Sequence, residues 1–237
     1  MRVLRAGFGL LLLLILGAVA LQWPCRTRLV ANRQPATQTL SFYAKGLAFL
    51  YRDSQYRLLA GEITRGLRAD PEKVMAILQW TNQQVRHAPE GWPVVDDHIL
   101  NIIIRGHGTD DQMADVFSTL CTYAGVPAFW LLFHSATSGK ILVLSFVHLE
   151  GQWAVFDVAN GRPFRDRSGR FASLPQLKKD PGLLTPAEEL YHPGRSYADF
   201  FERMEPLEIP RILRAQRQMP WPRFWYETHR RVTGRGV

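Results

Sequence analysis

RGHGTDDQMADVFSTLCTYAGVPA, residues 105–128, runs from a glycine loop into an amphipathic helix, a second glycine and the start of a strand. Met113, Val116, Phe117, Leu120, Cys121 and Ala124 recur at the spacing of one helical face, so that face is core. Thr109 precedes the helix and Gln112 follows three residues later, the capping-box pattern that satisfies the free amides of the first turn. Asp110 and Asp111 therefore fall in the first turn, where the positive end of the helix dipole favours carboxylates. Gly125 ends the helix, and Pro127 opens an apolar run that cannot begin as helix.

Beyond this helix the period changes from helical to alternating. Residues 128–134, 141–149 and 153–158 are rich in β-branched and aromatic side chains and are divided by SATSGK and EGQ, which predicts consecutive antiparallel strands. Asn160-Gly161 and Ser168-Gly169 mark further turns, with Phe164 and Phe171 flanking a hairpin. Before the central helix, Leu40, Tyr43, Ala44, Leu47, Leu50 and Tyr51 form one stripe, and Leu58, Leu59, Ile63 and Leu67 a weaker one. Asp70 and Pro71 read as N-cap and first residue of another helix with Val74, Ile77, Leu78, Thr81 and Val85 on one side. Ile99 to Ile104 is a short apolar segment. Thr185, Pro186 and Glu188 return the chain to helix, and Pro206, Pro210, Pro220 and Pro222 break the remainder into short pieces.

The chain of 237 residues is long enough for one ordinary domain with appendages. Its net charge of +8 argues for acidic partners. Seven arginines against the single acid Glu227 between Pro210 and Val237 supply +6 of that charge. Two cysteines, Cys25 and Cys121, exclude a disulfide framework. Arg2 and Arg5 precede an unbroken apolar run from Ala6 to Leu21 ending in Ala-Val-Ala, the pattern of a secretory signal or an N-terminal membrane anchor. The expected organisation is residues 1–23 as signal or anchor and 24–38 as a polar linker. Residues 39–195 form the domain and 196–237 a helical, basic and aromatic tail.

Helices first, then a loop with a central helix, then a meander of strands is an α+β order. With the GTDDQ turn, the GVPA segment and the run GQWAVFDVANG, residues 70–177 resemble the transglutaminase-like superfamily. The resemblance implies a papain-like core in which N-terminal helices and a central helix pack on an antiparallel sheet. It also implies a cysteine at the central helix start, a histidine on one strand and an aspartate on the next. A thiolate there is favoured by the helix dipole, the imidazole carries the proton and the aspartate fixes its tautomer. Carried over by position, the cysteine falls on Asp110, the histidine on Leu142 and the aspartate on Asp157. Cys121 lies three turns down the apolar stripe and reads as a buried structural thiol.

Two function classes follow. The first is an exported or membrane-anchored, non-catalytic binding or scaffolding domain of the cell envelope, with an unidentified protein or polysaccharide partner. The second is a hydrolase or transferase acting on peptide or glycan through a remodelled site of Asp110 and Asp157, lined by His107, Asp111 and Gln112. As a first-turn charge alone, Asp110 contributes roughly 0.3–1 kcal/mol and needs no further role. His134 and His148 stand at strand ends and could meet, though solvent-facing rings are the simpler expectation. No metal or other cofactor is expected. In the tail, Trp221, Arg223, Trp225, Arg230 and Arg231 suit a membrane surface of anionic lipid, while export argues against nucleic acid.

Overall fold

A computed structural model describes residues 2–96, 98–135, 141–188, 196–201 and 204–233, without the side chains of 2–10, 13, 231 and 233. The chain forms two compact units, Met1–Arg52 with Pro93–Asp97, and Asp53–Trp92 with His98–Val237.

The first unit begins with helix α1, Arg2–Leu21, followed by strands β1, Pro24–Ala31, and β2, Gln34–Ser41. Among the described residues no helix is long and apolar enough to cross a membrane. The stretch expected to be a polar linker, 24–38, is instead this β-hairpin. Ala31 pairs with Gln34 across a two-residue turn, and Asn32 and Arg33 both adopt left-handed φ angles, 49° and 65°, the geometry that matches the twist of a tight hairpin. β2 is exposed along almost its whole length, so no apolar alternation signals it. Turn geometry and ladder bonds hold the hairpin in place of a buried face. The short strand β4, Val95–Asp96, pairs with β1, and Asn32 Oδ1 accepts the Val94 amide at 3.0 Å.

Helix α2, Phe42–Ile63, begins in the first unit and ends in the second, so the two predicted stripes share one helix except for Leu40, which lies in β2, and Leu67, beyond the helix end. In the second unit α3 spans Asp70–Gln84, with Ala69 rather than Asp70 at the N-cap, Pro71 in the first turn and Asp70 bound to Lys73 at 2.8 Å. After β3, Arg86–His87, come α4, Ile99–Arg105, and β5, His107–Gly108, which pairs in parallel with β3. Helix α5, Asp110–Tyr123, is the central helix. Its end is a Schellman motif: the Val126 amide donates to Cys121 O at 2.9 Å and the Gly125 amide to Thr122 O at 3.1 Å, with Gly125 at φ 90°.

Strands β6, Ala128–His134, β7, Ile141–Leu149, β8, Gln152–Asp157, and β9, Arg162–Pro163, form one antiparallel sheet in chain order. Glu150 and Gly151 make the left-handed turn between β7 and β8 where EGQ predicted it, whereas residues 136–140 of the predicted SATSGK turn lie outside the described residues. Because side chains alternate along a strand, the sheet has two buried faces. Val147, Leu149, Ala154 and Phe156 meet Phe117 and Leu120 of α5 and Ile77 of α3. Leu142, Leu144, Phe146 and Val155 form a second cluster with Phe164, Leu177, Tyr197 and Phe201. The expected α+β core, with the central helix on an antiparallel sheet, is therefore what the chain builds.

Short helices follow the sheet: α6, Leu174–Lys179, α7, Thr185–Glu188, α8, Ala198–Phe201, and finally α9, Pro220–Thr233. Residues 189–195 lie outside the described residues. The region expected to be a tail from residue 196 is partly core. Tyr197, Phe200, Phe201, Met204 and Leu213 are buried in the second cluster, because the second face of the sheet is as apolar as the first and needs a cover. Arg214 reaches back to Asp115 of α5 at 2.9 Å and lies over the Trp130 ring, whose indole N–H donates to the same carboxylate at 3.1 Å.

Candidate functional site

The loop before α5 is built for close approach. A Cβ on Gly108 would stand 3.0 Å from Gln112 Cβ and Oε1, so only glycine lets β5 run this tightly into the helix. Gln112 uses that proximity: its Oε1 accepts the Thr109 amide at 3.2 Å and Arg105 Nη2 at 3.1 Å, and the capping box predicted from Thr109 and Gln112 is present. The Thr109 hydroxyl donates to Asp111. Among the described residues, His107 contacts backbone and an indole. Its Nδ1 stands 3.1 Å from Arg105 O, and its ring lies edge-on to the exposed Trp92 at 4.9 Å.

Asp110, at the first residue of α5, faces a group that sequence reasoning missed. His87 Nδ1 lies 3.3 Å from Asp110 Oδ1, and His87 Nε2 lies 3.0 Å from Ala159 O. Both neighbours are acceptors, so the imidazolium, which donates from both nitrogens, is the form this geometry favours. The Asp110 hydrogen bond pulls the His87 pKa above its ordinary value. Parallel pairing of Arg86 with His107 and of His87 with Gly108 places the ring there. Asp110 and His87 are each partly exposed, with side-chain accessibilities of 39% and 49%.

Asp157 sits at the end of β8 in a different environment, only 1% exposed. Its Oδ2 accepts the Tyr197 hydroxyl at 2.6 Å and Asn160 Nδ2 at 2.8 Å, and its Oδ1 accepts the Asn160 amide at 3.1 Å. Burial nevertheless pushes its pKa up, the donors offset only part of that, and the negative charge of Asp110 adds to the rise. The turn that follows is clamped from α3. Asn82 Nδ2 donates to Val158 O at 3.0 Å, and a Cβ on Gly161, which has φ 65°, would meet the Asn82 amide at 3.3 Å. His87, Asn160 and Tyr197 thus hold the two aspartates, and Asn82 holds the turn after Asp157. The Asn160-Gly161 turn signal was the one available hint.

Leu142, the position matched to the histidine, is 2% exposed within the second core cluster and opposite Phe133 of β6. Alternation along the paired strands puts it on the same face of the sheet as Asp157. Cys121 is fully buried and desolvation raises its thiol pKa well above the usual value, which suppresses thiolate reactivity. His134 and His148 do not meet. His148 lies beside Pro127 at the start of β6 and His134 at its end, about 20 Å along the strand.

Residues 57–157 match the family described as the transglutaminase-like superfamily, an interval that contains α3, the helix-start loop, α5, β6, β7 and β8 through Asp157. These residues form a transglutaminase-like core. No curated protein matches the chain. Among solved structures it is similar to a proposed cysteine protease from Cytophaga hutchinsonii, at 17% identity over 45% of this chain and 37% of that one, with a TM-score of 0.39. It is also similar to a proposed protease from Parabacteroides distasonis, at 14% identity over 55% of this chain and 32% of that one, with a TM-score of 0.35. A third similar structure is a TGase, at 12% identity over 61% and 46% of the two chains, with a TM-score of 0.39. The chain thus spans less than half the length of each of these proteins.

Within this transglutaminase-like core, the three positions matched to the family triad are dispersed in character. Asp110 is the hydrogen-bonding partner of His87 at the helix start, Leu142 is core and Asp157 is a sealed acceptor.

Proposed function

We propose that the chain is an exported or membrane-anchored protein whose transglutaminase-like domain has given up thiol chemistry and serves as a binding or scaffolding module of the cell envelope. The observation that carries this reading is the His87–Asp110 pair. Where the family's nucleophile would stand, a carboxylate is engaged by a histidine from β3 whose other nitrogen faces a backbone oxygen. A carboxylate is a poor acyl acceptor at neutral pH, and the leucine at the histidine position has no proton to exchange. The arginine-flanked apolar run of residues 2–21, ending in Ala-Val-Ala, supports export or anchoring.

A hydrolase rebuilt on Asp110 and Asp157 would need both carboxylates open to one cleft. Asp157 counts against it, since three donors occupy its oxygens and its side chain is sealed. A binding role finds support in the rim of the helix start. There the Trp92 indole is 54% exposed and braced by His107, a stacking face suited to a sugar ring or a peptide side chain.

Amidase, peptidase and transamidation assays on the full chain between about pH 5 and 9 are expected to show no turnover above that of Asp110→Ala. Turnover that disappears in Asp110→Ala would refute the non-catalytic reading and return the site to the remodelled-enzyme class.

A further inference from the structure

Helix α9 carries an aromatic surface that the core does not use. Its inner side is fixed by Tyr226, whose ring lies under the Arg217 guanidinium at 4.6 Å, within the preceding 3-10 turn Ala215–Gln218. At about 100° per residue, Trp221, Phe224, Trp225 and Val232 share one arc, centred roughly 140° away from Tyr226. They point outward accordingly, at 69%, 54%, 65% and 80% exposure. Phe224 stands edge-on to both tryptophans, at 6.2 and 5.7 Å, so the three rings form a continuous ridge.

The charge of this segment is one-sided in sign and lies across the helix from the ridge. By sequence, residues 220–237 hold four arginines, Arg223, Arg230, Arg231 and Arg235, against one acid, Glu227; Arg235 lies outside the described residues, and Glu227 bridges Arg223 at 2.9 Å and Arg230 at 3.0 Å. The side chain of Arg231 lies outside the described residues.

The geometry points to α9 as an in-plane docking helix for a bilayer surface of anionic lipid. Tryptophan and phenylalanine rings suit the boundary between headgroups and acyl chains, and arginine stems extend from that depth to bring guanidinium groups to the phosphates. Charge complementarity selects lipid of negative charge, each arginine near such a surface adding to the attraction within a Debye length. This surface is separate from the start of α5 and needs no particular chemistry there.

Hydrogen exchange of the full-length chain reads α9 directly, independently of any binding by the apolar N-terminal segment. Vesicles of phosphatidylcholine with about one third phosphatidylglycerol are expected to protect amides 220–233, and pure phosphatidylcholine is not; about 0.5 M salt should remove most of the protection. Trp221→Ser with Trp225→Ser, at two exposed positions, is expected to weaken the vesicle affinity read at α9 by about tenfold or more. Arg223→Gln with Arg230→Gln should flatten the salt dependence. Unchanged exchange at 220–233 with anionic vesicles would overturn the assignment, including the case where the chain is held by its N-terminal segment alone. Equal protection by neutral vesicles, or undiminished affinity in the tryptophan variant, would also overturn it.

Discussion

Phe117→Ala is expected to destabilise the second unit by about 3–5 kcal/mol, the range for removing a fully buried aromatic ring from a packed core. Phe117 is inaccessible, sits mid-way along α5, and packs against Phe156 of β8 with ring centroids 5.5 Å apart. Around it stand side chains from α3, α5 and the sheet, so the cavity would be walled by three elements that cannot all collapse inward. Denaturant unfolding of the full chain, followed by near-ultraviolet and far-ultraviolet signals, would read the loss; two compact units call for separate fitting of each transition. A loss below about 1 kcal/mol would mean that α5 does not organise the core.

Asp157→Ala is expected to cost about 2–4 kcal/mol although it removes a carboxylate that burial disfavours. The opposing effects can be ranked. Deleting the side chain relieves the desolvation of one charge, but it strips the acceptor from the wholly buried Tyr197 hydroxyl and from two Asn160 donors. A buried donor left unmade costs more than a made bond contributes, so the loss wins. Asp157→Asn, which keeps the shape and one oxygen, should be milder. Both variants also lose the pH response that the native carboxyl contributes. The native pKa of Asp157 lies above its ordinary 3.8, so the folded state holds the proton more tightly than the unfolded state. Stability from this group is greatest in acid and declines as pH rises from below 3.8 through the native pKa, beyond which it is level. Asp157→Asn should remove that decline. A decline that persists unchanged in the variant would assign it to another group.

The central helix was legible in the sequence at every level: Thr109 and Gln112 at its cap, Phe117 and Leu120 on its inner face, Gly125 at its end. These signals are local, and local chemistry decides them. The meander was legible for the same reason, through alternation and the Glu150-Gly151 turn. Ile99 to Ile104 offered no periodicity to separate strand from helix, and it forms α4. The hairpin at residues 24–41 was not legible, because β2 buries nothing and its turn lacks the glycine that ordinarily marks such turns. Nor was the packing of Tyr197 and Phe201 beneath the sheet, which depends on a second apolar face that strand alternation implies without naming its cover. At the site, Asp110 and Asp157 were found by resemblance. Their partners His87 and Tyr197 were not, because a short parallel pairing and a long return of the chain bring them in, and neither leaves a trace in spacing.

The titration of His87, followed by long-range proton–nitrogen NMR in the full chain and in Asp110→Asn, tests most directly whether the helix start is a structural ion pair. The native pKa of His87 lies above its ordinary 6.5, so the pair contributes stability fully below about pH 6.5 and loses it as pH rises through the raised value. An imidazolium with both nitrogens protonated, a pKa above the ordinary value, and a fall toward that value in Asp110→Asn are expected. A His87 that titrates at its ordinary value in both proteins would contradict a structural ion pair at the helix start.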